Sequence, residues 1–233
     1  HAYRALRAWK RSWLSREVLL FGLFSGVATV YAGLLWLELP GSHMAGLLTV
    51  VFGLGGVVAS ANIYRVPARP AWNTPFTLTQ FLLTAGALGP LFAGTVRIGD
   101  PRVLGMAAGV MAGVGLVCLG LRFLALTAAD RIELRGTARL LSTTLRAKLV
   151  ARGLLLALGG VVLPLIAIGS SSAEGGHDVQ TYLVSGFSRT DALFLLALAT
   201  VVAGEVLGRY LFFVSAVPTH MSAPYVPLGS EAA

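Results

Sequence analysis

The chain has 233 residues, of which 56% are hydrophobic and only 12% charged, about half the charge content of an average soluble domain. So few charges cannot solvate the surface of a soluble fold of this length, and the single cysteine, Cys118, excludes a disulfide framework and any cysteine-built zinc or iron–sulfur site. A net charge of +8 would suggest nucleic acid in a soluble protein, but here the basic residues stand between apolar stretches and report topology instead.

The chain opens on a basic lead that carries Arg4, Arg7, Lys10, Arg11 and Arg16. It has no Met at position 1 and no cleavable signal pattern, so it reads as a fragment whose beginning is missing. Six apolar segments follow, at 18–39, 44–63, 77–96, 103–126, 149–169 and 191–216. Each is long enough to cross about 30 Å of hydrocarbon at about 1.5 Å per residue. The apolar runs are continuous and do not alternate, which rules out a β-barrel. The predicted fold class is all-α, one polytopic transmembrane helical bundle over residues 1–233 with no soluble domain.

Residues 40–43 and 97–102 read as tight turns between helical hairpins. The 64–76 connection (YRVPARPAWNTPF) is Pro-rich and suits an extended loop held against the protein. The 127–148 connection places apolar residues at near-helical spacing among arginines, which predicts a helix lying in the interface. The 170–190 connection reads as a polar loop. No internal repeat is visible.

Of the eighteen Lys and Arg residues, all but Arg97, Arg102, Arg189 and Arg209 fall on one side of these spans, with the N-terminus and the 64–76 and 127–148 connections. The positive-inside rule makes that side cytoplasmic, and a basic face of this kind also suits docking of another subunit. Trp9, Trp13, Trp36 and Trp72 fall at or just beyond span ends, where indoles sit at headgroup level.

Charges inside apolar spans are costly and mark function or pairing. Glu205 lies in ATVVAGEVLGRYLFF with Arg209 four positions later on the same face, so the two can form a self-satisfying ion pair. Gly204 and Gly208 mark a face where another helix packs closely, so the pair turns to the bundle interior. Glu17 opens the first span directly after Arg16, where the helix dipole favours a carboxylate and Ser15 can serve as cap. Asn62, Tyr64 and Arg65 close the second span in the same half of the membrane, together with Arg122 and Arg152.

None of the histidines (His1, His43, His177, His220) lies in the middle of a span. An anchor that binds two b-type haems needs about four axial histidines on facing helices, so haem is excluded. No Ser/His/Asp set, P-loop or dinucleotide fingerprint is present, and no metal-ligand set. What remains is a cluster of ionisable groups in one leaflet of a helical bundle. That suits a lipid-soluble substrate that exchanges protons, or a transported ion. A quinol site needs a carboxylate or His as proton acceptor, polar groups for the headgroup and an apolar cleft for the tail. It also needs a nearby electron acceptor, which a partner would have to supply.

Three motifs, SWLSREVLLFGLF at 12–24, IYRVPARPAWNT at 63–74 and GEVLGRYLFF at 204–213, together resemble the membrane anchor subunit of dimethyl sulfoxide reductase, the DmsC family. The resemblance implies eight transmembrane helices in the full-length protein and no cofactor in this subunit. It implies an iron–sulfur partner, a molybdopterin catalytic partner and oxidation of menaquinol in anaerobic respiration, at the cell inner (plasma) membrane. The family's His-Leu-Gly-x-Pro motif, with a histidine implicated in quinol binding, would precede His1. The family's quinol-associated glutamate falls on Glu17, which becomes the expected proton acceptor, with Arg16, Tyr64 and Arg65 as expected quinol contacts. Glu205 and Arg209 are expected to be structural or part of a proton route, and Arg4, Arg7, Lys10 and Arg11 to dock the partner. The rival expectations are an ion-coupled transporter using Glu205 and Arg209, which predicts midplane polar groups and repeats, and a quinone-interacting anchor of the polysulfide reductase type.

Overall fold

The computed structural model describes residues 9–174 and 188–219, and every regular element among them is helical. In chain order these are α1 (Trp13–Trp36), α2 (Ser42–Ile63), α3 (Pro75–Thr95), α4 (Pro101–Thr127), α5 (Ile132–Ser142) and α6 (Arg146–Ala157). A five-residue π segment (Leu158–Val162), α7 (Leu163–Glu174) and α8 (Arg189–Val214) complete the order. Six helices are long and apolar enough to cross a membrane, with α6, the π segment and the start of α7 forming one span, Arg146–Ser170. The protein is a multi-pass helical membrane protein, as its composition requires.

Local chemistry sets the ends. α1 begins at Trp13 and not at 18, because the Ser12 hydroxyl accepts from the Ser15 amide at 3.4 Å and caps the helix earlier. Ser15 is a buried first-turn residue and not the cap, and Glu17 falls in the second turn, where the dipole acts on it less. α1 and α3 end alike. Glu38 (φ 53°) and Arg97 (φ 59°) turn left-handed, and the next amides return to the helix: Leu39 to Leu34 O and Ile98 to Ala93 O, both at 2.9 Å. A glycine at φ 99°, Gly41 or Gly99, then redirects the chain into the next helix. The interface helix expected in 127–148 is α5, and α7 carries helix into the stretch read as a polar loop, as far as Glu174. Residues 175–187 of that loop lie outside the described residues.

The chain divides into two compact units: residues 1–66 with 73–82, and residues 67–72 with 83–233. The first is organised on the antiparallel α1–α2 hairpin. Glycines of α2 let aromatic rings of α1 rest on its backbone, and a Cβ at Gly56 would stand 2.8 Å from the Phe21 ring. Gly53 meets Phe24 and Gly46 meets Tyr31 in the same register. Tyr64 and Phe81 lie with ring centroids 5.9 Å apart.

The second unit packs α4, the π-containing span and α8 around Leu91, Ala108, Leu156, Phe194 and Val201. Small residues bring these helices close: a Cβ on Gly160 would stand 2.3 Å from Ala112 Cβ, and one on Gly159 3.0 Å from Ala197 O. The π segment falls where Gly159 and Gly160 precede Pro164, whose missing N–H removes one helical bond. A second apolar cluster at one end joins Ala71, Leu126, Leu141, Leu145 and Leu211. There α5 buries Thr137, Ala138 and Leu141 and leaves Arg131, Arg135 and Arg139 exposed.

Candidate functional site

Two groups of polar residues stand out, one in each unit. In the first unit, Arg16 on α1 is tied down. Its Nε donates to Trp9 O at 2.9 Å, Nη2 donates to Lys10 O at 2.8 Å, and the guanidinium lies 4.3 Å from the centroid of the Trp13 ring. Glu17 beside it is half-buried. Continuing the hairpin register of Tyr31–Gly46, Phe24–Gly53 and Phe21–Gly56 by one turn sets Glu17 level with Ser60 and Trp13 level with Tyr64. Arg65 donates from Nη1 to Asn62 Oδ1 at 3.2 Å and is exposed. Arg16, Glu17, Tyr64 and Arg65 therefore gather at one end of the hairpin. The arrangement offers one carboxylate, on Glu17, and a guanidinium on the preceding residue that is held by backbone carbonyls and the Trp13 ring. Lys10 and Arg11 are exposed just before α1, and Arg4 and Arg7 lie outside the described residues.

The second unit holds a buried network around Glu205. Glu205 Oε2 on α8 accepts the Thr84 hydroxyl of α3 at 2.8 Å and stands 3.7 Å from Arg152 Nη2 of α6. Gly208, one turn along α8, makes room for that arginine, since a Cβ there would stand 2.5 Å from its Cζ. Arg122 of α4 is buried too. It donates from Nη2 to Ala71 O at 3.4 Å and lies 5.6 Å from the centroid of the Phe212 ring. Trp72 packs against the same ring: the two centroids lie 5.1 Å apart in a stacked pair, and Trp72 Nε1 donates to Phe212 O at 2.8 Å. Arg69 completes the layer 4.5 Å from the Trp72 centroid and donates to Ala216 O at 3.2 Å.

Sequence reasoning paired Glu205 with Arg209 along one helix. The structure adds two cross-helix partners, Thr84 and Arg152, while Arg209 follows one turn later on α8 and is half-buried. Neither Thr84 nor Arg152 was singled out as a site residue. The signal for Arg152 was present, a lone cation in LVARGLLLAL, but a threonine in an apolar helix carries none. At the opposite end of the unit Arg97 pairs with Asp191, which also closes a capping box with Ser188 at the start of α8.

A sulfite dehydrogenase subunit of Allochromatium vinosum is 30% identical over 118 residues, covering 44% of this chain and 36% of that protein. The aligned part is thus little more than a third of that relative's length. No solved structure matches. A family model described as DMSO reductase anchor subunit (DmsC) matches residues 1–119, which takes in α1–α3, most of α4 and the Arg16–Glu17 and Tyr64–Arg65 pairs, and ends before GEVLGRYLFF. The chain belongs to the DmsC family of membrane anchor subunits.

Proposed function

We propose that this chain is the quinol-oxidising membrane anchor of a molybdopterin oxidoreductase of the dimethyl sulfoxide reductase type, with menaquinol as its substrate. One observation carries the reading: the matched half of the chain gathers Arg16, Glu17, Tyr64 and Arg65 at one end of the α1–α2 hairpin. Oxidation of the quinol releases two protons and two electrons for each quinone formed. Glu17 takes one proton from a quinol hydroxyl, and the second leaves to water at the same end of the hairpin. Tyr64 and Arg65 hold the headgroup by hydrogen bonds. The two electrons would leave through the partner subunits, an iron–sulfur subunit and a molybdopterin catalytic subunit, and the identity of the latter would set the terminal acceptor. Arg4, Arg7, Lys10 and Arg11 form part of the partner's docking face, on the basic and cytoplasmic side of the plasma membrane.

The named relative favours a second direction for the same site. A dehydrogenase takes electrons from its substrate, so its anchor would reduce a quinone, with Glu17 delivering the proton instead of taking it. Glu17→Gln in the full-length complex tests both. Quinol oxidation is expected to fall about 100-fold, within the usual range for loss of a general base, with the partner subunits still bound. A normal rate in both directions overturns the assignment. Because one proton-transfer step serves both directions, the direction itself is read from the unmodified complex, by whether it oxidises quinol or reduces quinone.

A further inference from the structure

α5 runs from the end of α4 to the start of α6 and lies across one end of the second unit. Ala138 and Leu141 join an apolar cluster with Leu126 of the last α4 turn, Leu211 of the last α8 turn and Ala216 beyond it. The Thr137 hydroxyl accepts from the Val217 amide at 3.3 Å. One face of α5 is thus turned onto the ends of these helices, and the opposite face points off them. At about 100° per residue, the direction opposite Thr137, Ala138 and Leu141 falls on Ile132, with Arg135 and Arg139 beside it and Arg131 at the rim. Ile132 is 71% exposed, and the three arginines are exposed with it. Among the described residues no carboxylate forms an ion pair with any of the three. Arg135 Nη2 donates to the backbone oxygen of Asp130 at 2.7 Å, which aims that guanidinium without neutralising it.

An isoleucine exposed by itself would need no explanation. Here it stands at the centre of a patch whose rim is three unneutralised arginines. An apolar anchor with arginine around it is the composition of a protein interface, and the uniform charge fits an acidic surface opposite. Lipid fits the patch less well. An amphipathic helix that binds a bilayer turns its apolar face to the acyl chains and its cations to the headgroups beside them. The apolar face of α5 is already taken by Leu126, Leu211 and Ala216. Its cationic face points off the helix ends, whereas lipid covers the flanks of the spans.

We propose that Ile132, Arg131, Arg135 and Arg139 form a docking surface for an acidic face of a soluble partner subunit. The surface draws only on membership in a family of anchor subunits and does not depend on the role of Glu17. In the full-length chain, produced together with its partner subunits, Ile132→p-benzoylphenylalanine places a photoreactive group at the centre of the patch. Illumination of the complex in membranes is expected to link position 132 to a partner subunit. The same group at Leu124, 61% exposed on α4, should link to lipid instead. The concentration at which the partners dissociate on dilution in detergent should rise about 100-fold in Arg131→Glu/Arg135→Glu/Arg139→Glu, where like charges meet across the interface. It should rise about tenfold in the milder Arg135→Gln/Arg139→Gln, which keeps the result independent of how well the charge-reversed chain folds. Cross-links from position 132 to lipid alone, or to no partner subunit, overturn the docking surface. So does partner affinity unchanged in both arginine variants, even if they lose a preference for anionic lipid.

Discussion

The α1–α2 hairpin of the first unit and the α3–α4–α6–α8 packing of the second use the same small residue for opposite ends. In the hairpin, glycine admits an aromatic ring: Gly56 receives Phe21 and Gly53 receives Phe24, and the ionisable groups stay at the helix termini. In the second unit, Gly94 receives the Phe194 ring in the same way, but Gly208 receives the guanidinium of Arg152. One interface is therefore held by shape alone and the other by shape around charge. In hydrocarbon the two differ in what a mutation can do. A misfit ring can rotate or its helix can shift, whereas a stranded charge has no water to turn to.

The largest effect should come from removing one side of the charged interface. Arg152→Gln takes the buried guanidinium away from the half-buried Glu205 carboxylate and leaves the Thr84 hydroxyl beside it. Breaking a buried pair from one side costs about 3–5 kcal/mol. Thermal unfolding of the solubilised complex should show this loss. Arg152→Gln/Glu205→Gln should recover most of it, since two amides of similar shape can bond each other. If the double variant is no more stable than the single, the interface is held by shape like the hairpin, and the contrast between the units fails.

These two interfaces also differ in how far the sequence revealed them. Continuous apolar length set the number of long apolar helices at six, because about 20 consecutive apolar residues have one stable solution in a bilayer. The end of a span is a matter of single residues. Ser12 moved the start of α1 to Trp13, and left-handed residues at Glu38 and Arg97 closed two helices without a glycine in that position. The expectation for Glu17, Arg16, Tyr64 and Arg65 rests on the family resemblance, and that the four share one end of the hairpin follows from its short turn, which nearly fixes the register. Glu205 was found by its charge. Its partners Thr84 and Arg152 come from helices far away in sequence, and a single sequence carries no rule for which face of α3 meets which face of α8.

An intermediate effect should mark the hairpin. A Cβ at Gly56 would lie 2.8 Å from Phe21, while one at Gly26 on α1 would meet nothing within 4 Å. Gly56→Ala should therefore cost about 1–3 kcal/mol as an overpacked contact. Gly26→Ala should be neutral or stabilising by about 0.5–1 kcal/mol, the helix-entropy gain of alanine over glycine. Measured side by side in the same detergent, equal effects at the two positions would mean that the glycine–aromatic contacts do not hold α1 to α2.

The smallest effect belongs to the hydrogen bond of Trp72, and it separates two readings of one residue. From sequence it is an indole at headgroup level. In the second unit its ring stacks on Phe212 at 5.1 Å, lies edge-on to Phe213 at 5.7 Å, and its Nε1 donates to Phe212 O. That carbonyl belongs to the last turn of α8, which ends at Val214, where helix carbonyls run out of amides further along the chain. Trp72 thus caps α8 from a loop remote in sequence. Trp72→Phe keeps the stack and loses the donor, which should cost about 0.5–1.5 kcal/mol. Trp72→Ala loses the ring contacts as well, and should cost a further 0.5–1.5 kcal/mol or so beyond the lost apolar area. An indole held only by the headgroup region would give the reverse order of sensitivity. The phenylalanine variant would then depend on the surrounding lipid, and protection of the last α8 amides from hydrogen exchange would not change. Loss of that protection in Trp72→Phe, in detergent and vesicle alike, identifies the hydrogen bond to Phe212 as the contact that fixes the end of α8.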